Sequence, residues 1–133
     1  MKKPMKNLIL TISILTLCGC SSTSGLSFTG EHQYKLNTIY QGNASWYSSG
    51  HITASGKKFN PNEMTVAHRT LPFGTTLRLF NPENGNSIKA VVTDRGPFKK
   101  DRVLDVSKSG AEALGFRKKG KAKLQYEIME QPQ

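Results

Sequence analysis

The alternation of apolar and polar positions predicts that this chain is built mostly from short β-strands. The clearest case is residues 122–128, where apolar side chains at even positions alternate with polar side chains at odd positions. Shorter β-prone stretches cover residues 44–47, 64–68, 75–80, 87–92 and 102–106. Short strands expose unpaired edges unless their sheet closes on itself. We therefore predict a mainly β domain of six strands that closes into a barrel.

One short helix is predicted between the last two strands. Ser107 or Ser109 can cap its first turn, and Glu112 lies three residues after Ser109, which makes a capping box. The helix is expected to run through Leu114, because the next residue, Gly115, favours a C-terminal stop.

The turn after residues 87–92 carries the first candidate for chemistry. Asn84-Gly85 suits a tight hairpin turn that joins this strand to the preceding one. Asp94 follows the strand, and Gly96-Pro97 stops it because proline has no amide hydrogen for the ladder. Two interpretations of Asp94 stay open: it caps the turn by bonding backbone amides, or it presents a carboxylate for chemistry.

The first residues read as a targeting segment rather than as part of the fold. Lysines at positions 2, 3 and 6 precede the apolar residues 8–17, a stretch too short to span a bilayer, so we predict a secretory signal peptide over residues 1–19. Leu17-Cys18-Gly19-Cys20 resembles the bacterial lipobox, in which the last cysteine is acylated. The alternative is that both cysteines are ordinary residues of a cleaved signal.

A lipidated Cys20 would anchor the chain to a membrane without a spanning helix. The Ser/Thr/Gly-rich start of residues 20–41 is expected to act as a flexible tether before the folded domain at residues 42–130. Ser21, rather than an aspartate, follows the cysteine, and similarity to enteric lipoproteins then favours the periplasmic side of the outer membrane over the inner membrane.

Composition narrows the function further. If Cys18 leaves with the signal and Cys20 carries lipid, no thiol remains for catalysis, disulfides or metal. The three histidines, His32, His51 and His68, show no metal-ligand spacing, so we expect neither a metal nor another cofactor. The net charge of +10 falls to +7 without the three signal lysines, which still attracts polyanions. Anionic glycans and phospholipid head groups fit a lipoprotein outside the cytoplasm, and nucleic acid does not.

With thiols and metal sites set aside, the inventory of side chains available for chemistry consists of carboxylates and aromatic rings. The carboxylates are Glu63, Asp94, Asp101 and Asp105, and they accompany His68 and the pair Trp46-Tyr47. Carboxylic acids protonate glycosidic oxygens, and aromatic faces bind sugar rings. The inventory therefore favours glycan chemistry.

Six motifs then occur in a fixed order: Gly42-Asn43-Ala44-Ser45-Trp46-Tyr47, Thr53-Ala54-Ser55-Gly56, Ala67-His68-Arg69-Thr70-Leu71-Pro72-Phe73-Gly74-Thr75, Asn84-Gly85, Asp94-Arg95-Gly96-Pro97-Phe98 and Leu104-Asp105-Val106-Ser107. Together they resemble the rare lipoprotein A (RlpA-like) family over about residues 42–130. The resemblance implies a six-stranded double-psi β-barrel with one or two short helices. It also implies a lytic transglycosylase, a lyase that cleaves naked peptidoglycan strands lacking stem peptides and leaves 1,6-anhydromuramyl products.

The resemblance also assigns roles to residues. Asp94 matches the proposed catalytic aspartate of the family, with His68 as an orienting or proton-sharing partner. Such an acid needs an apolar surrounding, which Val91, Val92 and Phe98 are expected to provide. The expected substrate-binding residues are Trp46, Tyr47, Lys57, Asn60 and Arg95. For His68 the alternative is a structural histidine inside the barrel, and for the aromatic pair the alternative is a place in the core.

Two positions depart from the family. Many members have Glu where this chain has Lys57, and some have Asp where it has Asn60. A second hypothesis therefore stands beside the enzyme: a non-catalytic, expansin-like lipoprotein that binds peptidoglycan. We also expect a monomer, and no carboxyl-terminal SPOR module of the kind found in the family.

Overall fold

The structure, a computed structural model, describes residues 34–133. The predicted signal peptide and Cys20 lie outside the described residues, as does the tether up to residue 33. The elements are β1 (Ile39–Tyr47), β2 (Thr65–Ala67), β3 (Thr76–Phe80), β4 (Ser87–Asp94), β5 (Leu104–Ser107), α1 (Lys108–Ala113) and β6 (Lys121–Glu130). Over this part of the chain, no helix is long and apolar enough to cross a lipid bilayer.

The six strands close into one mixed barrel. Their order around the barrel is β1-β5-β2-β4-β3-β6, so that β6 returns to β1. Two neighbouring pairs are parallel, β1 with β5 and β2 with β4, and the other four are antiparallel. The closed ladder satisfies the strand edges, as expected from the sequence. The prediction of a mainly β, six-stranded barrel with one short helix is confirmed.

The core follows from the predicted alternation. Leu77 and Leu79 of β3 are fully buried, and the buried Ala90 of β4 lies opposite Leu77 on the adjoining strand. In β6 the buried positions are the predicted apolar ones, Ala122, Leu124, Tyr126 and Ile128. Helix α1 and the residues after it close the core by burying Ala111, Leu114 and Phe116.

The first strand begins earlier than the sequence pattern indicated. β1 starts at Ile39, three residues before the expected start of the domain at residue 42, and its whole first half pairs with β6. The pattern there is inverted: Ile39 points outward with 64% exposure, while the less exposed alternate positions include Gly42. Backbone pairing, rather than apolar alternation, therefore defines this end of the strand.

Helix α1 begins at the first of its two candidate caps. The Ser107 hydroxyl accepts a hydrogen bond from the Gly110 amide at 3.3 Å. Ser109 instead donates to the carbonyl of Glu63 at 2.9 Å, so the capping box with Glu112 does not form. At the other end Gly115 has φ +74°, which agrees with the predicted stop.

Asparagines of the loop between β3 and β4 complete the helix C-terminus. Asn84-Gly85, predicted as a tight turn, lies within a longer connection over residues 81–86. The side-chain amides of Asn81 and Asn84 donate to the Leu114 carbonyl at 2.8 and 2.9 Å. Those contacts fix the β3–β4 loop against the end of α1.

Candidate active site

Asp94 is the last residue of β4, and its contacts agree with both interpretations of this residue, the turn cap and the carboxylate available for chemistry. Its backbone lies beside Ala67 of β2, and its Oδ1 accepts hydrogen bonds from the amides of Ala54 at 2.9 Å and Arg95 at 2.8 Å. Within residues 34–133, Oδ2 accepts no hydrogen bond. One carboxylate oxygen therefore holds the turn, while the other is available at a half-exposed position.

The loop over residues 53–57 docks onto the end of β4. The amide of Ser55 donates to the Thr93 carbonyl at 3.2 Å, next to the bond between Ala54 and Asp94. The loop closes on itself because both the amide and the hydroxyl of Thr53 donate to the Lys57 carbonyl, at 2.8 and 2.9 Å. This dense run of turn-forming residues thus becomes one wall of a site beside Asp94.

A groove of about 300 Å³ opens between that loop and the strand ends. It is lined by Thr53, Lys57, Lys58, Phe59, Asn60, Glu63, Thr65 and Thr93. Two of the expected substrate-binding residues, Lys57 and Asn60, lie together there. The Asn60 amide donates to Glu63 Oε1 at 3.2 Å, which brings an acidic group to the same groove.

Tyr47 contacts a residue that lines the groove, Phe59, and lies near Asp94. Its ring stacks on Phe59 with centroids 4.5 Å apart and planes at 25°. Burial raises the pKa of Tyr47 to about 12, and the negative charge of Asp94 adds to this shift. The phenol therefore stays protonated at neutral pH and lies close enough to Asp94 to feel its charge.

Three hydroxyls in this region are buried without a hydrogen-bond partner: those of Tyr47, Thr65 and Thr93. Thr65 and Thr93 are each 8% exposed and line the groove. The Thr65 hydroxyl lies near enough to the Tyr47 phenol to oppose part of the rise in its pKa, although the two make no well-formed hydrogen bond.

His68 lies inside the barrel and not in the groove. It is 2% exposed, and its Nδ1 accepts hydrogen bonds from the amides of Thr70 at 3.2 Å and Leu71 at 3.1 Å. The Tyr34 ring packs edge-on against it at 5.3 Å. Desolvation, with the charges of Arg95 and Arg69 as further causes, lowers the pKa of His68 to about 4.

The structure does not bring the side chains of His68 and Asp94 together. Their strands are neighbours, since the amide of His68 donates to the Asp94 carbonyl at 3.2 Å. The two side chains, however, make separate sets of hydrogen bonds, one to the turn after β2 and the other to the loop and turn at β4. This geometry favours the structural interpretation of His68, whose hydrogen-bond partners are backbone amides.

The side chain of Arg95 binds backbone groups of the same turn as the side chain of His68. Its guanidinium donates to the carbonyls of His68 at 3.2 Å and Leu71 at 2.8 Å, and it stacks over the Phe73 ring at 3.8 Å. Phe98, expected to shield Asp94, is instead 86% exposed. These contacts favour a positioning role for Arg95 over direct contact with substrate.

Trp46 faces a different groove from its neighbour Tyr47, as expected for consecutive residues of a strand. Its indole donates to the Arg117 carbonyl at 3.0 Å, and the Arg117 guanidinium lies 5.7 Å from the ring centroid. The residues lining this second groove, of about 650 Å³, are Trp46, Glu112, Gly115, Arg117 and Lys118. The aromatic pair predicted from the sequence is thus divided between two surfaces.

Asp105, another of the carboxylates named from the sequence, is bound within the barrel wall. Its carboxylate accepts from the Ser45 hydroxyl and pairs with Arg102 at 3.3 Å, across the barrel wall. Over residues 34–133, no three side chains of the His, Cys, Asp and Glu types form a group that could hold a metal ion.

Comparison with known proteins shows to which family the barrel belongs. A protein-family model described as lytic transglycolase matches residues 39–126, which is most of the described chain. The chain belongs to this lytic transglycolase family. The resemblance to the rare lipoprotein A family is confirmed by relatives that carry its name.

Two relatives illustrate the match. The endolytic peptidoglycan transglycosylase RlpA of Rickettsia prowazekii is 32% identical over 162 residues, covering 92% of this chain and 51% of that protein. The protein of the same name from Neisseria meningitidis is 44% identical over 107 residues, covering 78% of this chain and 44% of that protein. The chain thus spans about half the length of these relatives.

Solved structures support the fold of this family member independently. The Streptomyces papain inhibitor superposes with a TM-score of 0.63 at 17% identity, covering 74% of this chain and all of the inhibitor. The expansin of Clavibacter michiganensis gives a TM-score of 0.58 at 22% identity, covering 72% of this chain and 52% of the expansin. At these identities the likeness shows the double-psi barrel fold alone.

Some groove residues of this member of the lytic transglycolase family were not assigned to a site from the sequence. Glu63 was counted only among the carboxylates, and Phe59, Thr65 and Thr93 were not singled out. Their spacing gives no signal, because the parallel pairing of β2 with β4 brings Thr65 and Thr93 to one groove. For Glu63, the signal was its position in the polar loop that contains Asn60.

Proposed function

We propose that this protein is a peptidoglycan lytic transglycosylase that cleaves naked glycan strands with Asp94 as its general acid and base. The observation that carries the proposal is the Asp94 carboxylate, which has Oδ1 fixed by two amides and Oδ2 without a hydrogen bond at a half-exposed position. A catalytic carboxylate needs such fixed geometry, because general acid–base catalysis requires the proton to lie within hydrogen-bond reach of the reacting oxygen.

The proposed reaction needs only one acid. Asp94 donates its proton to the glycosidic oxygen that follows N-acetylmuramic acid, and the bond from C1 to that oxygen breaks. The C6 hydroxyl of the same sugar then attacks the oxocarbenium-like C1, and the Asp94 carboxylate takes up the hydroxyl proton. The product is a 1,6-anhydromuramyl end, no water is consumed, and Asp94 is again protonated.

Lys57 and Asn60 serve in this proposal as substrate-binding groups at the mouth of the groove. The ammonium group of Lys57 suits the lactyl carboxylates that repeat along naked strands, because the lysine is exposed and its neighbour Lys58 adds a second positive charge. Tyr47 contributes to binding from the wall behind Phe59.

Glu63 takes the place of the acidic groups that this chain lacks at positions 57 and 60. Its carboxylate is held by the Asn60 amide and lines the same groove as Lys57. We propose that Glu63 supplies the second negative charge near the oxocarbenium-like centre, where such charge is stabilising.

His68, Arg95 and Trp46 take supporting roles in this proposal. His68 and Arg95 hold the turn after β2, and the backbone of that turn pairs with Asp94. Trp46 offers a further aromatic surface for glycan on the second groove, flanked by Arg117 and Lys118.

The proposed setting is the cell envelope. Lipidation of Cys20 would hold the barrel near peptidoglycan, on the periplasmic side of the outer membrane, with the glycan strand as its partner and the protein acting as a monomer. The named activity of the relatives, endolytic peptidoglycan transglycosylase, supports this substrate.

Two observations favour a second function, glycan binding without cleavage. Oδ1 of Asp94 caps the loop and turn. Lys57 and Asn60 stand where many members of the resembling family have Glu and some have Asp, respectively. A related barrel, a mutant of the Clavibacter michiganensis expansin, has been solved in complex with cellohexaose.

The Asp94→Asn variant distinguishes glycan cleavage from glycan binding without cleavage. Its Oδ1 can still accept both amide hydrogen bonds, while the titratable proton is removed. We expect anhydromuramyl ends, measured by mass spectrometry of digested naked peptidoglycan, to fall by roughly 10²–10⁴ with binding to the strands retained. Asp101→Asn is the matched control, because Asp101 is an exposed carboxylate that pairs with Lys121. If the wild-type protein gives no anhydromuramyl ends but binds the strands, the binding function is correct instead.

A further inference from the structure

Phe98 is the most exposed large apolar residue in the part of the chain that the structure describes. It is 86% exposed, and the next in order, Ile52, is 66% exposed. A single exposed apolar side chain is common on protein surfaces and does not by itself mark a site. The hydrogen bonds of its loop and its position after Asp94 distinguish Phe98 from such side chains.

The side chain of Arg69 holds the loop that carries Phe98. Its guanidinium donates to three carbonyls of that loop, those of Pro97 at 2.7 Å, Lys99 at 2.7 Å and Arg102 at 2.6 Å. The Arg102 amide also donates to the Lys99 carbonyl at 3.2 Å. The backbone is therefore bound on both sides of Phe98, and the ring is presented to solvent from a fixed position.

The ring of Phe98 lies near the turn that begins at Asp94. A Cβ placed on Gly96 would be 3.6 Å from a carbon of the ring, so part of the ring packs close to that glycine. The Cα atoms of Gly96 and Asp94 are two residues apart along the chain and so at most about 7 Å apart in space. An exposed aromatic surface is thus close to the half-exposed carboxylate of Asp94.

We propose that Phe98 is a substrate-binding residue whose ring stacks on a sugar unit next to the one at Asp94, and that Arg69 is the positioning residue that holds it there. The inference rests on the proposed function, because a strand cleaved at Asp94 has to pass this loop. The faces of a pyranose ring carry C–H groups, which pack on an aromatic face. Such a contact aligns the strand, and with it the scissile bond, relative to the carboxylate.

The test is calorimetric titration of the full chain with naked peptidoglycan strands. Every protein in the titration carries Asp94→Asn, so that the strands are not cleaved. In this background Phe98→Ala should weaken binding by about tenfold, because it removes most of the apolar contact. Phe98→Tyr retains the ring and should bind like the background protein. Because Phe98 is exposed, both variants should unfold at the temperature of the background protein.

Ile39→Ala provides the matched control. Ile39 is also highly exposed, at 64%, but it lies on β1 and lines a different groove, together with Arg78 and Glu127. This variant removes a comparable exposed apolar side chain and should leave the affinity for the strands unchanged. A loss equal to that of Phe98→Ala would overturn the proposal, because the contact would then be a general effect of apolar surface.

The positioning role of Arg69 is tested by a double-mutant cycle. Arg69→Met removes the three hydrogen bonds to the loop and keeps a long apolar side chain. It should weaken strand binding when Phe98 is present and have little effect in the Phe98→Ala variant, because Arg69 acts through the ring. Fully additive losses would overturn this role, since a residue that only stabilises the fold would affect both proteins alike.

An anionic membrane surface is the competing partner, because the exposed Lys99 and Lys100 follow the ring directly. The same variants are therefore sedimented with phosphatidylglycerol vesicles. The proposal is wrong if the Asp94→Asn protein binds no strands, or if Phe98→Ala retains full strand affinity, whether or not it loses vesicle binding. If strand binding depends on Phe98 while the wild-type protein forms no anhydromuramyl ends, the inference is correct and the cleavage proposed for Asp94 is wrong.

Discussion

The burial of His68 predicts that this barrel loses stability in mild acid. Nδ1 of the imidazole accepts hydrogen bonds from two backbone amides, so the neutral form of the ring, with its proton on Nε2, fits the site. Burial, with the charges of Arg95 and Arg69 as further causes, lowers the pKa of His68 from 6.5 to about 4. Protonation in the folded state would add a charge at a desolvated site and turn an acceptor into a donor that faces other donors.

The direction of the effect follows from proton linkage. The pKa of His68 is lower in the folded state, so the unfolded chain binds this proton first as the pH falls. The stability that His68 contributes is fully present above about pH 6.5 and is lost progressively down to about pH 4. At about 1.36 kcal/mol for each pH unit, the loss over this window is roughly 3 kcal/mol.

Denaturant unfolding of the wild-type protein and His68→Asn, between pH 7.5 and 3.5, measures this contribution. Asparagine can accept the same two amides through Oδ1 and does not titrate, so the carboxylates affect both proteins alike. The variant should be less stable at pH 7.5, because it fills less of the space beneath Tyr34. Its disadvantage should then shrink by roughly 3 kcal/mol as the pH falls to 4. Parallel stability curves would refute the assignment of a neutral, buried His68.

Four further outcomes are expected. Lys57→Glu should raise transglycosylase activity, measured as anhydromuramyl ends. In the same assay Glu63→Gln should lower the activity by about tenfold or more, and unchanged activity would show that Glu63 is not part of the site. Gly115→Ala should destabilise the protein more than Gly120→Ala in thermal unfolding. Both positions have positive φ, which costs alanine about 1–2 kcal/mol, but only at Gly115 would the new Cβ also collide with a neighbouring group, the side-chain amide of Asn84. Equal losses would contradict this packing. Cys20→Ala should release the protein from membrane fractions, and retention there would exclude the lipid anchor.

Much of the fold could be predicted from the sequence because it depends on local periodicity. Residues 122–128 alternate so regularly that β6 and its buried face follow directly, and β3 and β4 are nearly as clear. The start of β1 could not be predicted in this way, since Ile39 is exposed and Gly42 lies on the less exposed face. That end of the strand depends on partners in β6 more than 80 residues later, which no local pattern reveals.

The site was predictable only in part. Lys57 and Asn60 come from one polar loop that has to lie at the surface, so their meeting in one groove follows from sequence distance alone. The destinations of His68 and Arg95 depend instead on the carbonyls and amides of a turn that forms only in the folded barrel. A histidine or arginine in a sequence motif therefore reads equally well as a site residue or as its support.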